Sequence, residues 1–350
     1  MSARTDDAGQ GAPDVDERFV RQVRLPQVGV EGQARLAAAR VAIVGTGATG
    51  SHLAATLGRA GVGFLRLIDR DIVELSNLPR QTLFTTADAE GVRPKAEAAA
   101  EALRAIDPGL VVEPAVTDLV ADNAAQLLGD VDLVLDGTDN FPTRMLVNDL
   151  CVRDGRPFVY CGVVGIEGQL LVIRPGGPCL RCYVPELPAP GALPTCDTAG
   201  VLGSVVSLVA SLTATEALKL LLGSEDVRAG EVFVVDGWQG SVRTLRLPVD
   251  PTCPCCQGRD HRFLDSPAIA TPTELCGRDA IQLPPTGAAV DLDAAAERLA
   301  AEGQVTRSTF LVRLDTDERR LLLFADGRVI VGNTQDGAEA RSIRARLLGD

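Results

Sequence analysis

The sequence predicts an α/β fold: a Rossmann-like, doubly wound and mostly parallel sheet, followed by a small C-terminal α+β domain. Three observations carry that prediction. Between residues 40 and 135, short β-branched runs alternate with Ala- and Glu-rich helical stretches at the spacing of βαβ units. The first of these runs empties into a glycine turn at Gly45, Gly47 and Gly50. After Gly258 the chain changes to a proline-punctuated linker and then to short alternating strands.

Taken in order, residues 1–16 are rich in Asp, Gly, Ala and Ser with almost nothing apolar, which predicts a disordered tail. Residues 17–260 form the expected main domain. Strands are expected at 40–44, 64–68, 110–116 and 132–135, with helices at 51–60, 94–106 and 122–128 between them. Two further strands, 158–164 and 169–174, follow each other directly through 165–168, and the proline-rich 185–194 stretch is expected to be a mobile loop or lid. Residues 201–222 are the most apolar long stretch. Ser204, Ser207, Ser211, Thr213, Thr215, Glu216 and Lys219 within it predict a buried helix rather than a membrane span. Segments 231–235 and 242–247 complete the sheet as a hairpin-like pair. In residues 261–350, Pro267, Pro272, Pro284 and Pro285 mark a linker. An amphipathic helix at 292–301 follows, then strands at 309–314, 320–324 and 328–331, a turn at Asp326-Gly327-Arg328 and a terminal helix at 338–348. No internal repeat is visible.

Composition narrows the function classes. The 350 residues carry a net charge of -13, so the basic footprint of a nucleic-acid binder is absent. No secretory-type segment opens the chain, and nine cysteines then point to a reducing, cytoplasmic setting in which metal binding or catalysis outweighs disulfides. His52 and His261 are the two histidines, which leaves few candidates for a histidine base.

Chemistry concentrates after the first strand. Glycines at 45, 47 and 50 let a backbone approach phosphates, and the following helix would present free N–H groups to them. Asp69 ends the second strand at the spacing where an acidic residue grips ribose hydroxyls. This signal alone serves ATP and NAD equally. Arg80, Lys95 and Asp139 favour ATP, because displacing pyrophosphate needs positive charge and a magnesium-holding carboxylate, whereas hydride transfer does not. An NAD-dependent oxidoreductase and a catalytically silent scaffold are the competing readings.

Further segments accompany these residues: Arg18-Phe19-Val20-Arg21-Gln22, Ala60-Gly61-Val62-Gly63, Asp69-Arg70-Asp71, Asn77-Leu78-Pro79-Arg80-Gln81, Asp136-Gly137-Thr138-Asp139-Asn140 and Ala199-Gly200-Val201-Leu202-Gly203. Together they resemble the ubiquitin-activating E1-like superfamily, and within it the ThiF/MoeB/HesA group, over roughly residues 17–258. Ala48, Thr49 and Pro79 stand where that family usually has glycine, leucine and a polar residue. The resemblance implies ATP-dependent adenylation of the C-terminal glycine of a ubiquitin-like sulfur-carrier protein ending in Gly-Gly. It also implies roles: Asp69 on the ribose, Asn77, Arg80 and Lys95 on the triphosphate, and Asp139 on Mg2+. Arg21 would reach the neighbouring subunit's site in a homodimer. A cysteine desulfurase or a rhodanese would supply sulfur. The carrier's pathway, whether molybdopterin, thiamine, tRNA thiolation or secondary metabolism, stays open.

Two C-x-x-C pairs, Cys179/Cys182 and Cys253/Cys256, have the spacing of a closed tetrahedral Zn2+ site, with Cys255 as a spare. Cys151 and Cys161 sit in apolar sequence and are expected in the core. Cys196 follows the proline-rich stretch and precedes a long helix, where a thiol gains reactivity. In the resembled family, a cysteine at this place can link covalently to the carrier during sulfur transfer; an inert thiol is the alternative. No cysteine follows Cys276, which excludes a rhodanese active site in the C-terminal domain. That domain is expected to be either a docking module or a dimer-stabilising appendage.

Overall fold

A computed structural model describes residues 16–187, 195–265, 273–275, 279–285 and 289–348. Residues 1–15, most of the expected lid (188–194), Pro267, Pro272 and Cys276 lie outside the described residues. Eight strands form the main sheet: β1 (Arg40–Val44), β2 (Phe64–Ile68), β3 (Val111–Ala115), β4 (Leu133–Asp136), β5 (Phe158–Val164), β6 (Glu167–Ile173), β7 (Glu231–Asp236) and β8 (Ser241–Arg246). Their spatial order is β3-β2-β1-β4-β5-β6-β7-β8. Pairing is parallel from β3 to β5 and antiparallel from β5 to β8. Winding reverses between β1 and β4, and open α/β sheets leave their ligand crevice at the carboxyl ends of the strands flanking such a reversal.

The central strands are apolar on both sides because helices cover both faces. Val41 and Ile43 of β1 pack with Leu53, Leu57, Leu103, Ala210 and Ala214, which belong to the helices Ala48–Arg59, Lys95–Ile106 and Gly203–Leu222. The alternate residues, Ala42 and Val44, face Ala124, Leu128, Met145 and Leu150 of the helices Ala121–Leu128 and Phe141–Asp154. Gly203–Leu222 is long and apolar enough to cross a membrane. It packs on the Ala48–Arg59 helix, β5 and β6, with Val205, Val206 and Val209 buried, so it is a core helix as expected.

A second sheet follows: β9 (Thr273–Leu275), β10 (Ala280–Leu283), β11 (Gln304–Arg307), β12 (Leu311–Asp315), β13 (Arg320–Phe324) and β14 (Val329–Gly332). It runs antiparallel throughout in the order β11-β12-β13-β14-β10-β9. The helices Leu292–Leu299 and Gly337–Leu348 cover one of its faces. Strands β9, β10 and β11 are additions to the sequence reading. So are the helices Gly29–Ala38 and Phe141–Asp154. The latter begins at Asn140, whose Oδ1 accepts from Thr143 N at 3.0 Å, with proline in the first turn. Asn-x-Pro is a helix start as well as a loop signal.

Candidate active site

The loops after β1 and β4 meet backbone on backbone. Gly45 has φ +84°, and a Cβ there would lie 2.7 Å from the Gly137 carbonyl. A Cβ on Gly50 would lie 1.9 Å from Gly45 O. Gly45 and Gly50 are therefore required by packing. Gly47 differs: among the described residues a Cβ there would meet Gln81 Nε2 alone, at 3.8 Å, so they leave space above it. Gly47 also caps the Ala48–Arg59 helix without a side-chain hydrogen bond, leaving the first N–H groups for an anion. Gln81 is buried beside this glycine, and its Oε1 lacks a partner among the described residues.

Asp69, at the end of β2, is buried and braced. Its Oδ2 accepts from Thr46 N at 2.7 Å and Thr46 Oγ1 at 3.0 Å, and its Oδ1 accepts from Asp71 N at 2.8 Å. A carboxylate has about four acceptor positions, so Oδ1 retains one for a hydroxyl. Lys95 opens its helix as expected, buried, with Nζ 3.1 Å from Asp71 Oδ2 and N donating to Asp71 O at 2.8 Å. The 69–71 turn thus ties Asp69 to the lysine.

Of the two acidic residues after β4, Asp136 is consumed internally. Its Oδ1 accepts from Thr138 N at 2.8 Å and Thr138 Oγ1 at 2.7 Å, and its Oδ2 accepts from Arg144 Nε at 2.8 Å. Arg144 also donates to Thr138 O at 2.6 Å and Cys161 O at 3.2 Å. Burial pushes the Asp136 carboxyl up while Arg144 opposes it, and burial raises the neighbouring Tyr160 hydroxyl to about 12. Asp139 is left exposed on the loop after β4, within electrostatic reach of Arg70 and Arg144. Sequence reasoning passed over Arg144; the signal was an arginine one turn into a helix that itself went unread.

Asn77 is buried, with Oδ1 accepting from Glu74 N at 3.1 Å, so it shapes the turn that carries Arg80. Arg80 is half-buried, and its Nη1 donates to Ser76 O at 2.8 Å. Gly203, which starts the long helix, sits against this segment: a Cβ there would lie 2.6 Å from Pro79 O. Gly165 pairs with the same crossing segment through Gly165 N to Gly200 O and Leu202 N to Gly165 O, both 2.9 Å. Cys196 precedes the long helix, Gly203–Leu222, in the chain without being its first residue. It opens a separate four-residue turn, Cys196–Ala199, capped by Thr195, and its side chain lies outside the described residues. Arg21 is exposed on a short helix, Val20–Val23, whose neighbours Phe19 and Gln22 dock on the Ala60–Gly61 turn. That turn precedes β2, so Arg21 lies at the edge opposite the glycine loop of its own chain.

Cys179, Cys182, Cys253 and Cys256 bring their sulfurs within 4.8 Å of one another, with Cys179–Cys253 at 3.6 Å and Cys182–Cys256 at 3.5 Å. Ligands about 2.3 Å from a tetrahedral Zn2+ stand about 3.8 Å apart, so this quartet is shaped to hold a metal. Burial pushes the Cys182 and Cys256 thiols up, a penalty that a cation reverses. Cys255 stands beside the quartet with Asp149 and His261, accepting from Asn148 Nδ2 at 3.4 Å, while Arg181 lies 3.7 Å from Asp149 Oδ1. Cys151 and Cys161 are buried, as expected, and burial raises both thiols to about 12.

Residues 19–255 match the ThiF family model. The chain belongs to the ThiF family. It is 39% identical over 338 residues to the sulfur carrier protein ThiS adenylyltransferase of Bacillus subtilis, covering 95% of this chain and 99% of that one. It is 44% identical over 246 residues to the sulfur carrier protein adenylyltransferase of Thermus thermophilus, covering 69% and 90%. Against the mouse adenylyltransferase and sulfurtransferase MOCS3, identity is 42% over 241 residues, which span 52% of that protein. The fold is also that of Escherichia coli MccB, solved with ATP: TM-score 0.60, 21% identity, 70% of this chain and 75% of that one. Membership of the ThiF family sets the NAD-dependent alternative aside.

The Arg144–Asp136 pair has a testable consequence. In Arg144→Met the buried Asp136 carboxyl loses its counter-charge, which costs about 3–5 kcal/mol at neutral pH. A carboxyl raised above its unfolded value of about 3.9 favours the protonated folded form, so stability is retained at low pH and lost as pH rises. The urea midpoint of Arg144→Met is expected to fall progressively below wild type from pH 4 to pH 8. A pH-independent gap would show that the pair does not carry this energy.

Proposed function

We propose that this protein is an ATP-dependent adenylyltransferase that activates the C-terminal glycine carboxylate of a ubiquitin-like sulfur-carrier protein of the MoaD or ThiS type, preparing it for thiocarboxylate formation. One observation carries the reading. In a ThiF-family sheet, an uncapped helix N-terminus at Gly47 lies at the same edge as Asp69, Lys95, Arg80 and Asp139.

The chemistry follows from charge. The carrier's carboxylate is ionised at neutral pH and needs no base. One of its oxygens attacks the α-phosphorus of ATP, a C–O–P linkage forms, the bond to the β-phosphate oxygen breaks, and pyrophosphate departs with the electron pair. Asp69 holds a ribose hydroxyl on its remaining acceptor position. Lys95, Arg80 and the helix N-terminus draw the triphosphate into line, and Asn77 fixes the turn that aims Arg80. Asp139 is the carboxylate left to hold Mg2+, since Asp136 is engaged by Arg144; the ion would neutralise charge on the leaving pyrophosphate. Arg21, turned away from its own site, suits the site of a second subunit in a homodimer. Ile166, Leu202 and Trp238 are exposed around the β5–β6 turn and offer an apolar rim to a protein tail. Residues 17–260 carry the side chains that contact ATP, in a cytoplasmic setting where a cysteine desulfurase or rhodanese serves as sulfur donor. The quartet holds Zn2+ and pins the β6 exit to residues 253–256.

Asp139→Ala is expected to fold normally and to lose carrier-dependent ATP–pyrophosphate exchange by at least about 10²-fold; near wild-type exchange would refute the assignment. Metal analysis of freshly purified protein should find a single zinc per chain, absent from Cys179→Ser. A zinc-free wild type, or zinc retained in the variant, would contradict the site. Cys196→Ser should keep exchange yet slow thiocarboxylate formation, followed by mass spectrometry with a sulfur donor. Wild-type thiocarboxylate rates would make Cys196 a bystander, and loss of exchange would make it structural.

A further inference from the structure

The C-terminal sheet is seated on the nucleotide edge of the main sheet. Its residues alternate between two destinations. Ile281, Leu321, Leu323, Val329 and Val331 face the sheet's own helices. Ala280, Leu311, Leu322, Phe324 and Ile330 face Ile72 and Val92 of the main domain. Ile72 follows Asp71, and Val92 stands three residues before Lys95. Val92 is held at φ +50° while 1% exposed. A β-branched residue is an outlier in that region; Val92 N donates to Ala89 O at 3.2 Å and Arg93 N to Asp88 O at 3.0 Å as the helix Thr86–Glu90 ends, and the C-terminal sheet buries the side chain that this turn presents.

The polar core of this contact is Arg328, at the entry to β14 and 1% exposed. Its guanidinium lies 3.8 Å from the Phe324 ring centroid, and Nη1 donates to the carbonyl of Arg70 at 2.8 Å. Nε and Nη2 have no hydrogen-bond partner among the described residues, although Asp326 Oδ2 stands 3.8 Å from Nε. Asp118 and Asp71 face the same guanidinium, and the Arg70 cation opposes it. Asp118 in turn accepts from Arg70 Nη1 at 2.8 Å and from Gln282 Nε2 of β10. Burying an under-used guanidinium is costly, so its placement against a single carbonyl calls for a reason beyond filling space. The Arg70 carbonyl lies between Asp69, on the ribose side, and Asp71, the partner of Lys95.

We propose that the C-terminal sheet completes the nucleotide site, with Arg328 as a positioning residue that fixes the 69–71 turn, so that ATP binding and docking of this sheet reinforce each other. The proposal rests on ATP occupying this edge, as the adenylation reading requires. Coupling of this kind is reciprocal: what Arg328 does for ATP, ATP does for the sheet.

Two measurements test it on the full chain with Mg2+, ATP and a ThiS-type carrier. Arg328→Met removes the donors and keeps the apolar volume. It is expected to raise KM for ATP about tenfold with KM for the carrier unchanged and kcat altered far less, and Arg328→Lys should recover most of the loss. Independently of any variant, ATP should slow amide hydrogen exchange in β13 and β14 of the wild-type protein. Unchanged KM for ATP in Arg328→Met, an equal rise in both KM values, or exchange in β13–β14 indifferent to ATP would overturn the coupling. Absence of carrier-dependent ATP–pyrophosphate exchange in the wild type would instead overturn the adenylation reading itself.

Discussion

The site depends on one steric constraint: the chain after β1 and the chain after β4 touch through backbone alone. A Cβ on Gly137 would stand 2.1 Å from Gly45 O, and one on Gly50 would stand 1.9 Å from the same atom. Only glycine at all three positions lets the Ala48–Arg59 helix begin directly over the end of β1 with its N–H groups exposed. The same approach sets the distance between the Ala48–Arg59 helix and the loop of Asp139. Gly45 N donating to Ile68 O and Gly137 N to Val44 O, each at 2.7 Å, stitch β2, β1 and β4 into a single edge.

Around that edge, charge is sorted by burial. Asp136 and Arg144 neutralise each other inside the protein and act as scaffold. Asp71 and Lys95 form a half-buried pair that a triphosphate can compete for, since phosphate oxygens offer the ammonium a stronger counter-charge. Asp139 and Arg80 remain nearer solvent, where ligands arrive. A reaction whose nucleophile is already ionised needs this arrangement more than it needs a base, which accounts for a chain with two histidines. His52 illustrates the point: its Nε2 lies 2.7 Å from Ser207 Oγ and its Nδ1 2.9 Å from Ala48 O, tying two helices together.

Much of this was legible in the chain before folding, because its signals are local. A β-branched run entering a glycine turn, and cysteines three residues apart, specify their geometry within a few positions, and β1, β2, β5 and β13 begin and end where periodicity places them. What stayed hidden depends on contacts distant in sequence. Arg144 reads as an ordinary helical arginine until Asp136 and Cys161 are brought to it. Arg328 reads as the last residue of a turn until Arg70, 258 positions earlier, meets it. β9 and β10 were obscured by flanking prolines that signal linker as strongly as strand edge. Cys196 opens a short helix of its own, Cys196–Ala199, ahead of the long one, which the sequence did not separate.

The central claim is that a carboxylate oxygen of the carrier attacks the α-phosphorus at this edge. It is tested most directly by labelling the C-terminal carboxylate of a ThiS-type carrier with oxygen-18, incubating it with the enzyme, Mg2+ and ATP, and letting water cleave the product at the carbonyl. AMP bearing a single labelled oxygen is expected, together with unlabelled pyrophosphate. Unlabelled AMP, or ADP with label in inorganic phosphate, would contradict it.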